Sequence, residues 1–382
     1  MILKIGDTYV HLLELPLLLF LLGAAMVRLA RNGFRLRVTN VALPLVLFIS
    51  LALYVCAIAL SAWNALDASL VAKSALKWLE VLLLVGLVFL YVETVTHFAF
   101  IYWTLALSAA LAVIHTVALV IAGRIPLLGY RVFPGPEALF ALVLAFPFVG
   151  SGSRWAKVLT GLCLLSAILS MSRVVWLALL LLFLFARAYR FLPSKSLRLL
   201  LFTAGGILLV LYVANRSLLL YRWSELFAPG HVSNVVRWML LRSALDMFLR
   251  HPLLGVGSAN YLLSVRQQGP SLAVFLPDKS LLEPHNAFVR VLAEEGAIGF
   301  CFFSLSLLAT ILLVRSSFHS SGVGLPYKRG LSAFLLVMGI YLLFGFIAAQ
   351  FRFFLALGYG LAAATVRVLP ACAGAQEGSG DG

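Results

Sequence analysis

The chain alternates long apolar runs with short polar connections, and the lengths of the apolar runs predict a bundle of membrane-spanning helices. A helix needs about 20 apolar residues to cross the hydrocarbon core of a bilayer. Eleven segments approach this length, near 9–28, 41–62, 75–93, 98–122, 136–151, 155–170, 173–190, 198–214, 297–315, 331–349 and 352–369. We therefore expect an all-α, polytopic integral membrane protein with about 11–12 transmembrane helices.

The composition agrees with this class. Of 382 residues, 63% are hydrophobic and 11% are charged, whereas soluble domains have about 45–50% and about 25%. The formal net charge is +15. Because the basic residues are scattered among apolar runs instead of forming a patch, a nucleic-acid-binding protein is excluded. The four cysteines imply no disulfide framework.

Basic residues also orient the spans, because short cytoplasmic loops carry an excess of Lys and Arg. Basic loops near 28–37, 154–157, 187–198 and 315–329 alternate with poorer ones. This pattern puts the N-terminus outside, the C-terminus inside and the long hydrophilic loop on the outer face. Five cations run against the bias by falling on the outer side: Lys73, Arg124, Arg131, Arg173 and Arg352.

The predicted organisation has four parts. Residues 1–214 form an N-terminal transmembrane bundle of about eight helices, and residues 215–296 form a long, ordered outer loop containing short helices. Residues 297–370 form the C-terminal transmembrane helices, and residues 371–382 form a flexible, Gly-rich tail. The loop is too rich in Trp, Leu and Phe to be disordered, and a loop of this length is usually functional.

Within the loop, the pattern from Ser233 to His251 predicts a helix that ends at Pro252. Its Arg242, Asp246 and Arg250 form an i, i+4 stripe, which is typical of a solvated, salt-paired face. Arg237 projects from the opposite, apolar side, on the row of Leu241, Ala244 and Phe248. Burying an unpaired guanidinium costs several kcal/mol. Arg237 is therefore a candidate for binding an anionic ligand, unless it reaches the rim or pairs with a nearby glutamate.

Arg173 and His285 are two further candidates. Arg173 lies at the outer end of a span, where the alternative is an interfacial anchor beside Trp176. His285 precedes a short helix over 287–295 that ends at Gly296. The helix macrodipole there disfavours the imidazolium, so a neutral imidazole able to accept a proton is expected. The alternative is a histidine that only makes structural hydrogen bonds.

Other motifs are weaker. Gly255-Val256-Gly257 could offer backbone N–H groups to a phosphate, although a plain turn has the same pattern. The sequence has no DxD, no HExxH and no Cys/His cluster, so neither a metal-bridged nucleotide-sugar site nor a zinc site is supported. It also lacks a Walker lysine motif, which removes an ATP-driven motor from consideration.

Several of these residues occur together at a spacing that resembles the bacterial O-antigen ligase and polymerase superfamily. The resemblance covers about residues 170–300. It rests on Ser170-Met171-Ser172-Arg173, Arg237-Trp238, the run His251-Pro252-Leu253-Leu254-Gly255-Val256-Gly257-Ser258-Ala259-Asn260-Tyr261, His285-Asn286-Ala287-Phe288 and Ala293-Glu294-Glu295-Gly296-Ala297-Ile298-Gly299.

This resemblance implies a metal-independent, inverting glycosyltransferase without a cofactor, embedded in the bacterial inner membrane among its lipids. It would take a glycan from undecaprenyl diphosphate on the periplasmic side. A ligase passes the glycan to a sugar hydroxyl of lipid A-core. By the same resemblance, the family's two essential arginines fall on Arg173 and Arg237 and its essential histidine on His285. Further candidate substrate contacts are Arg242, Gly255, Gly257, Asn286 and Glu294.

Two alternatives to an O-antigen ligase stay open. A polymerase of the same superfamily would use another lipid-linked glycan as its acceptor, and no motif separates the two. A transporter of polyprenyl-linked glycans would need ionisable residues in mid-span and inverted repeats. Few such residues are present, since Glu80, Glu137 and the segment 350–352 lie near the ends of spans, and no repeat is apparent.

Overall fold

The computed structural model of the chain is an assembly of helices. It describes residues 2–5, 8–11, 42–123, 138–140, 142–143, 154–170, 172–188, 194–214, 216, 220, 232–268, 284–316, 325–344 and 349–377. An antiparallel hairpin at the N-terminus pairs strand β1, Ile2–Ile5, with strand β2, Thr8–His11. All other regular elements in these ranges are helical, which confirms the expected all-α class.

The helices follow in chain order. They are α1 (Ala42–Leu60), α2 (Ala68–Tyr91), α3 (Val95–Ile121), α4 (Arg154–Leu169), α5 (Arg173–Ala188), α6 (Ser194–Ala214), α7 (Val232–Arg250), α8 (Tyr261–Gln268), α9 (Ala287–Ser316), α10 (Leu325–Phe344) and α11 (Ala349–Glu377). A 3₁₀ turn, Ser61–Asn64, follows α1.

The predicted spans agree well with these helices. Nine of the eleven predicted segments overlap one of the helices α1 to α11. Most of the predicted 136–151 span lies outside the described residues. The prediction for 9–28 is wrong at its start, because residues 9–11 belong to β2, whose Thr, Tyr and Val favour extended backbone. The rest of that segment also lies outside the described residues.

Five helices in the described part of the chain are long and apolar enough to cross a membrane: α1 with its 3₁₀ turn, α2, α3, α9 and residues 327–344 of α10. Large apolar side chains such as Leu45, Leu83 and Leu111 are exposed along them. A helix bundle in lipid places such residues on its outer surface. The chain is therefore a polytopic membrane protein.

Two helix pairs organise the bundle: α1 packs along α9, and α2 packs along α11. Three aromatic rings join α1, α2 and α9. The ring centroids of Tyr54 and Trp78 are 4.8 Å apart, and that of Phe303 lies 5.4 Å from Tyr54 and 6.1 Å from Trp78. Edge-to-face and tilted contacts of this kind are favourable for aromatic pairs. This cluster fixes the three helices relative to one another.

The loop between α6 and α9 contains an ordered unit. Helices α7 and α8 and the first turns of α9 enclose a small apolar core. The buried core residues are Leu240, Ala244, Met247, Val256, Tyr261, Val265 and Ala293. The prediction of short helices in this loop is thus confirmed for 232–268, while residues 221–231 and 269–283 lie outside the described residues.

Helix α9 is interrupted at Gly296, as the sequence predicted. The turn after α7 supplies the hydrogen-bond partners that the interruption removes. Gly296 has φ 67° and ψ −166°, which is not helical. In a continuous helix, the N–H groups of residues 297 and 298 would donate to the carbonyls of residues 293 and 294. Here Ala297 and Ile298 donate instead to the carbonyls of Pro252 and Leu253, at 2.8 and 3.3 Å.

The two carbonyls released by the break are also satisfied by the turn. Val256 donates its N–H to the carbonyl of Ala293, and Gly257 donates to that of Glu294, both at 2.9 Å. Buried backbone groups rarely stay unpaired, because an unpaired group costs about 1–3 kcal/mol. The turn thus replaces the hydrogen bonds that α9 gives up, and it attaches α7 to α9.

Both backbone segments, the turn after α7 and the interrupted part of α9, require glycine where they meet. Gly255 and Gly296 have φ 68° and 67°, a region that residues with a Cβ atom disfavour. A Cβ atom on Gly255 would overlap the backbone carbonyl of Glu294, and one on Gly296 would overlap that of Leu253. Only the absence of side chains lets the two backbones approach.

Replacing Gly296 by alanine should therefore destabilise the protein. We expect a loss of about 1–3 kcal/mol from backbone strain alone, measured as a lower unfolding temperature of the detergent-purified protein. The matched control is Gly339→Ala in α10, where a Cβ atom would meet nothing within 4 Å. That change should be neutral or stabilising by up to about 1 kcal/mol. Equal unfolding temperatures for the two variants would contradict this account of the turn.

Candidate functional site

The turn that follows α7 also binds the connection between α1 and α2. Asn260 is fully buried and clamps the backbone of Asp67: its Oδ1 accepts from the Asp67 N–H at 2.8 Å, and its Nδ2 donates to the Asp67 carbonyl at 3.1 Å. Asn64 donates from Nδ2 to the Gly255 carbonyl at 3.0 Å. The loop unit is thus fixed to the transmembrane bundle as well as to α9.

Asp67 has a second role at this junction, as the N-cap of α2. Its side chain accepts from the Ser69 N–H at 2.8 Å. Hydrogen bonds from Ser69 lower the pKa of the Asp67 carboxyl from its usual value, because they favour the ionised form. A capping carboxylate also satisfies one of the free N–H groups at the start of the helix.

A chain of buried hydroxyl groups connects this junction to Glu295. The Ser258 hydroxyl donates to Oε1 of Glu295 at 2.6 Å. The hydroxyl oxygens of Ser74 and Ser258 are 2.8 Å apart. Since Ser258 has one hydroxyl proton, Ser74 must be the donor in the second bond. The Ser258 N–H donates to the hydroxyl of Ser61 at 3.0 Å. These bonds hold one carboxylate oxygen of Glu295 in place.

Glu294 and Glu295 are both buried, with exposed fractions of 4% and 3%. Glu294 is paired: Oε2 lies 3.2 Å from Nε of Arg290, and Oε1 accepts from the Tyr261 N–H at 3.2 Å. Oε2 of Glu295 has no hydrogen-bond partner among the described residues. A buried carboxylate oxygen without a partner is costly, so this one marks a position that a ligand could satisfy.

These carboxylates border a cavity of about 140 Å³ at the end of the bundle where α2 and α11 begin. Four cations line it: Lys73 and Lys77 from α2, Arg290 from α9 and Arg352 from α11. The other lining residues are Tyr54, Leu70, Ser74, Trp78, Ser258, Ala259, Val291, Glu294 and Glu295. We call this space the four-cation cavity.

Sequence reasoning missed the four-cation cavity, although it noticed two of its residues. Lys73 and Arg352 were exceptions to the charge bias of the loops, and the structure places both at one cavity. Lys77 and Arg290 carried no signal, since each lies inside a predicted helix. The clue was therefore the pair of cations that the predicted orientation of the spans assigns to loops expected to have few.

Arg237 lies at the edge of the buried face of α7. The centre of that face is Leu240, Ala244 and Met247, which are fully buried. The prediction of a row through Leu241 and Phe248 is displaced by about one residue, since those two side chains are only half-buried. Arg237 is half-buried as well. It sits between the core and the surface rather than inside the core.

The opposite stripe of α7 is exposed, as predicted for a solvated face. Arg242, Asp246 and Arg250 are all exposed. Arg242 was also a candidate substrate contact, but its side chain points away from the core that joins α7 to α9. Its exposure favours the solvated interpretation.

His285 has an unusual backbone. Its φ is 49°, in the left-handed region, and its side chain is half-buried. The next residue, Asn286, caps α9: its Oδ1 accepts from the Val289 N–H at 3.0 Å. Non-glycine residues with positive φ are uncommon and concentrate at functional sites. The cap explains how Asn286 holds the start of α9, so its side-chain oxygen has a structural role.

Arg173 is the first residue of α5 and is half-buried. Helix α5 packs mainly on α10, and to a lesser extent on α4 and α6. Trp176, one turn later, donates from Nε1 to the carbonyl of Ile168 at 3.0 Å, which ties α5 to α4. Arg173 therefore belongs to a different group of packed helices from Arg237 and His285.

Two of the three predicted catalytic residues, Arg237 and His285, thus lie on or next to helices that pack against each other. Helix α7, which carries Arg237, packs on α9, which begins directly after His285 and Asn286. Val236 and Val289, from the two helices, contact the same apolar core. None of Arg173, Arg237 and His285 lines the four-cation cavity.

The two glycines that were candidate phosphate ligands have another role. The N–H of Gly255 donates to the carbonyl of His251 at 2.9 Å, and the N–H of Gly257 to that of Glu294. Both N–H groups that the pattern suggested for a phosphate therefore already donate to backbone carbonyls. These hydrogen bonds favour the plain turn, which the sequence left open as the alternative to phosphate binding.

Residues 158–304 match the family model described as O-antigen ligase. This matched domain supports the O-antigen ligase superfamily for this part of the chain. The domain includes Arg173, Arg237, His285 and the turn that repairs the break in α9, which confirms the resemblance found in the motifs. Members of this superfamily are glycosyltransferase-like enzymes that act on polysaccharide or lipid-linked substrates in general. No curated protein matches the chain.

The O-antigen ligase domain covers only part of the residues described above. Lys73, Lys77 and Arg352, three of the four cations of the four-cation cavity, lie outside the matched range. Arg290, Glu294 and Glu295 lie inside it. The cavity is therefore built between the domain and the helices that flank it in sequence.

Replacing Asn260 by alanine should loosen the domain from the α1–α2 connection. The change removes three hydrogen bonds, those to the two backbone groups of Asp67 and one to the Ser258 carbonyl. Each buried group left unpaired costs about 1–3 kcal/mol. We expect faster amide hydrogen exchange at residues 61–67 and a lower unfolding temperature. Gln267→Ala, at an exposed position of α8, should change neither, and unchanged exchange in Asn260→Ala would refute the clamp.

Proposed function

We propose that the protein is an O-antigen ligase. It transfers a glycan from undecaprenyl diphosphate to a sugar hydroxyl of lipid A-core, at the periplasmic face of the bacterial inner membrane. The observation that carries this proposal is the packing of α7, which carries the half-buried Arg237, against α9, which begins directly after His285 and Asn286, within the O-antigen ligase domain.

The residue types suit this reaction. In a single displacement, the acceptor oxygen forms a bond to the anomeric carbon, and the bond from that carbon to the diphosphate breaks. The diphosphate leaves with the bonding electrons, so its charge must be stabilised. Arginine suits this role, because its planar, permanently charged guanidinium can bind two oxygens at once. We assign it to Arg237 and Arg173.

The acceptor hydroxyl must lose its proton during the displacement. We assign this step to His285, whose imidazole accepts the proton. A positioned base of this kind contributes about 10²–10⁴-fold to the rate. Because the incoming oxygen attacks opposite to the leaving diphosphate, the configuration at the anomeric carbon inverts.

A polymerase of the same superfamily is the second candidate, and it shares the donor half of the site. Deletion of the gene separates the two on a lipopolysaccharide gel. Loss of a ligase leaves free lipid A-core and strands the polymer on its carrier lipid, whereas loss of a polymerase gives lipopolysaccharide with a single repeat. The second pattern would disprove the ligase proposal. In purified protein, movement of lipid without formation of a glycosidic bond would point to a transporter.

His285→Ala and Arg237→Ala should each reduce transfer by at least about 10²-fold, because they remove the base and a charge that stabilises the leaving group. The assay is transfer of labelled glycan from a lipid-diphosphate donor to lipid A-core by purified protein. Arg242→Ala, an exposed position on the other side of the same helix, should have a mild effect. If Arg242→Ala reduces transfer as much as Arg237→Ala, the argument that only the Arg237 side of α7 faces the substrate is wrong.

Transfer should also persist in EDTA. The two arginines would supply the charge stabilisation that many glycosyltransferases obtain from a divalent ion. We expect the rate with excess EDTA to equal the rate with added Mg²⁺. Complete loss of transfer in EDTA, restored by a divalent ion, would show that the assignment of the arginines is incomplete.

A further inference from the structure

Helix α7 has two apolar faces, and only one of them is buried. Leu240, Ala244 and Met247 are fully buried in the small core of the loop unit. On the other side of the helix, five large apolar side chains are exposed: Val235, Trp238, Met239, Leu245 and Leu249. We call these five residues the outer face of α7. We propose that the outer face binds the phospholipid surface of the surrounding bilayer, with its apolar side chains among the acyl chains and with Arg242 and Arg250 at the phosphate groups.

The side chains of the outer face are far more exposed than their composition favours. Trp238 is 67% exposed and Leu249 is 72% exposed. Since successive residues of a helix are about 100° apart, Trp238, Leu245 and Leu249 lie on one strip opposite the buried Leu240. A helix that packs one side on a core normally carries polar residues on the other, and contiguous exposed apolar residues mark an interaction surface. The outer face therefore needs an apolar partner.

The hydrogen bonds of the turn after α7 place the end of this helix at the membrane surface. The turn accepts a hydrogen bond from Asn64 and clamps Asp67 through Asn260. Asn64 is the last residue of the span formed by α1 and its 3₁₀ turn. Beside it, Trp63 is 88% exposed, as expected for a tryptophan at the end of a span, where its ring lies among the headgroups. The end of α7 is therefore at the level of the headgroups.

Exposed apolar side chains occur along the whole length of α7. From Val235 to Leu249 the helix rises about 21 Å, at about 1.5 Å per residue. The headgroup region on one side of a bilayer is only about 5–8 Å thick. An upright helix would hold Val235 and Trp238 in water, beyond the headgroups. Only a helix that lies along the surface brings the whole outer face against lipid. Leu253, in the turn itself, is 64% exposed and extends the apolar surface past the end of the helix.

The charged residues around the outer face suit an anionic lipid surface. Arg242 lies within the face and Arg250 at its edge, and both are exposed. Asp246 is the only acidic residue of α7, so the exposed side of the helix has a net positive charge. Arginine can lay its apolar stem along an apolar surface while its guanidinium reaches the phosphate groups. A helix with tryptophan, leucine and arginine arranged in this way is typical of helices that lie in a membrane interface.

The test is photocrosslinking of the full-length protein in nanodiscs made from equal parts of a zwitterionic and an anionic phospholipid. The photoreactive p-benzoylphenylalanine replaces either Trp238 or Leu249 in the outer face. The positive control is Leu83, an exposed residue of the span α2, and the negative control is Gln267, an exposed polar residue of α8. Mass spectrometry measures the fraction of protein that carries one phospholipid. We expect the two outer-face positions to come within about threefold of Leu83, and Gln267 to stay at least about tenfold below it.

The controls make each outcome decisive. Phospholipid adducts at Trp238 and Leu249 that are as rare as those at Gln267, in a preparation that crosslinks lipid through Leu83, would overturn the proposal. So would adducts with another segment of this chain or with a second copy, because protein would then cover the outer face. If one outer-face variant fails to fold, the other decides alone. Since no glycan substrate is used, a protein that crosslinks lipid here but transfers no glycan would refute the ligase proposal and leave this one intact.

A second measurement on the same nanodiscs tests the two arginines. Adducts formed through Leu249 should contain the anionic lipid at least about twofold more often than adducts formed through Leu83, because basic residues near the surface attract anionic lipid. Arg250→Gln should reduce this enrichment, while Arg250→Lys retains the charge and should preserve it. An unchanged enrichment in a folded Arg242→Gln/Arg250→Gln double variant would refute the placement of the arginines at the phosphate groups.

Discussion

The exchange of backbone hydrogen bonds at Gly296 is the constraint on which the rest of the site depends. Helix α9 breaks there, and the turn at 252–257 supplies donors and acceptors for the four groups that the break exposes. In an apolar environment each of these groups would otherwise be costly. The break and the turn therefore stabilise each other. Through this exchange, the loop unit becomes part of the rigid bundle, and α7 is held beside the start of α9.

The residues that carry the family resemblance divide into two groups by their contacts. Gly255, Gly257 and Asn260 make hydrogen bonds within the frame of the protein. Gly255 bonds within the turn, Gly257 to a carbonyl of α9, and Asn260 to the connection between α1 and α2. They build the frame. Arg237 and His285 are half-buried at the edge of that frame. A motif read from sequence alone mixes the two groups, because backbone attachment and substrate binding both favour small and polar residues near a helix end.

Glu294 and Glu295 show how the frame and the cavity share side chains. Both are buried, and both are held by groups of the loop unit: Glu294 by Tyr261 and Glu295 by Ser258. Their carboxylates in turn face the cavity that Lys73, Lys77 and Arg352 close from the other side. Docking of the loop unit thus has an electrostatic consequence, since it places two acidic groups against a cluster of cations. The position of the turn and the charge of the cavity are set together.

The sequence by itself determined the class of the protein, the positions of most helices, the break at Gly296 and the exposed stripe of α7. These features depend on local properties: the length of an apolar run, the period of 3.6 residues and the freedom of glycine. The same local reasoning placed Arg237 within one residue of its actual face. Only the tertiary structure decided that the N–H groups of Gly255 and Gly257 are used by carbonyl groups, and that Lys73, Arg290 and Arg352 meet at one cavity. Those outcomes depend on how α2, α9 and α11 pack, and contacts between distant segments leave no periodic trace in a single sequence.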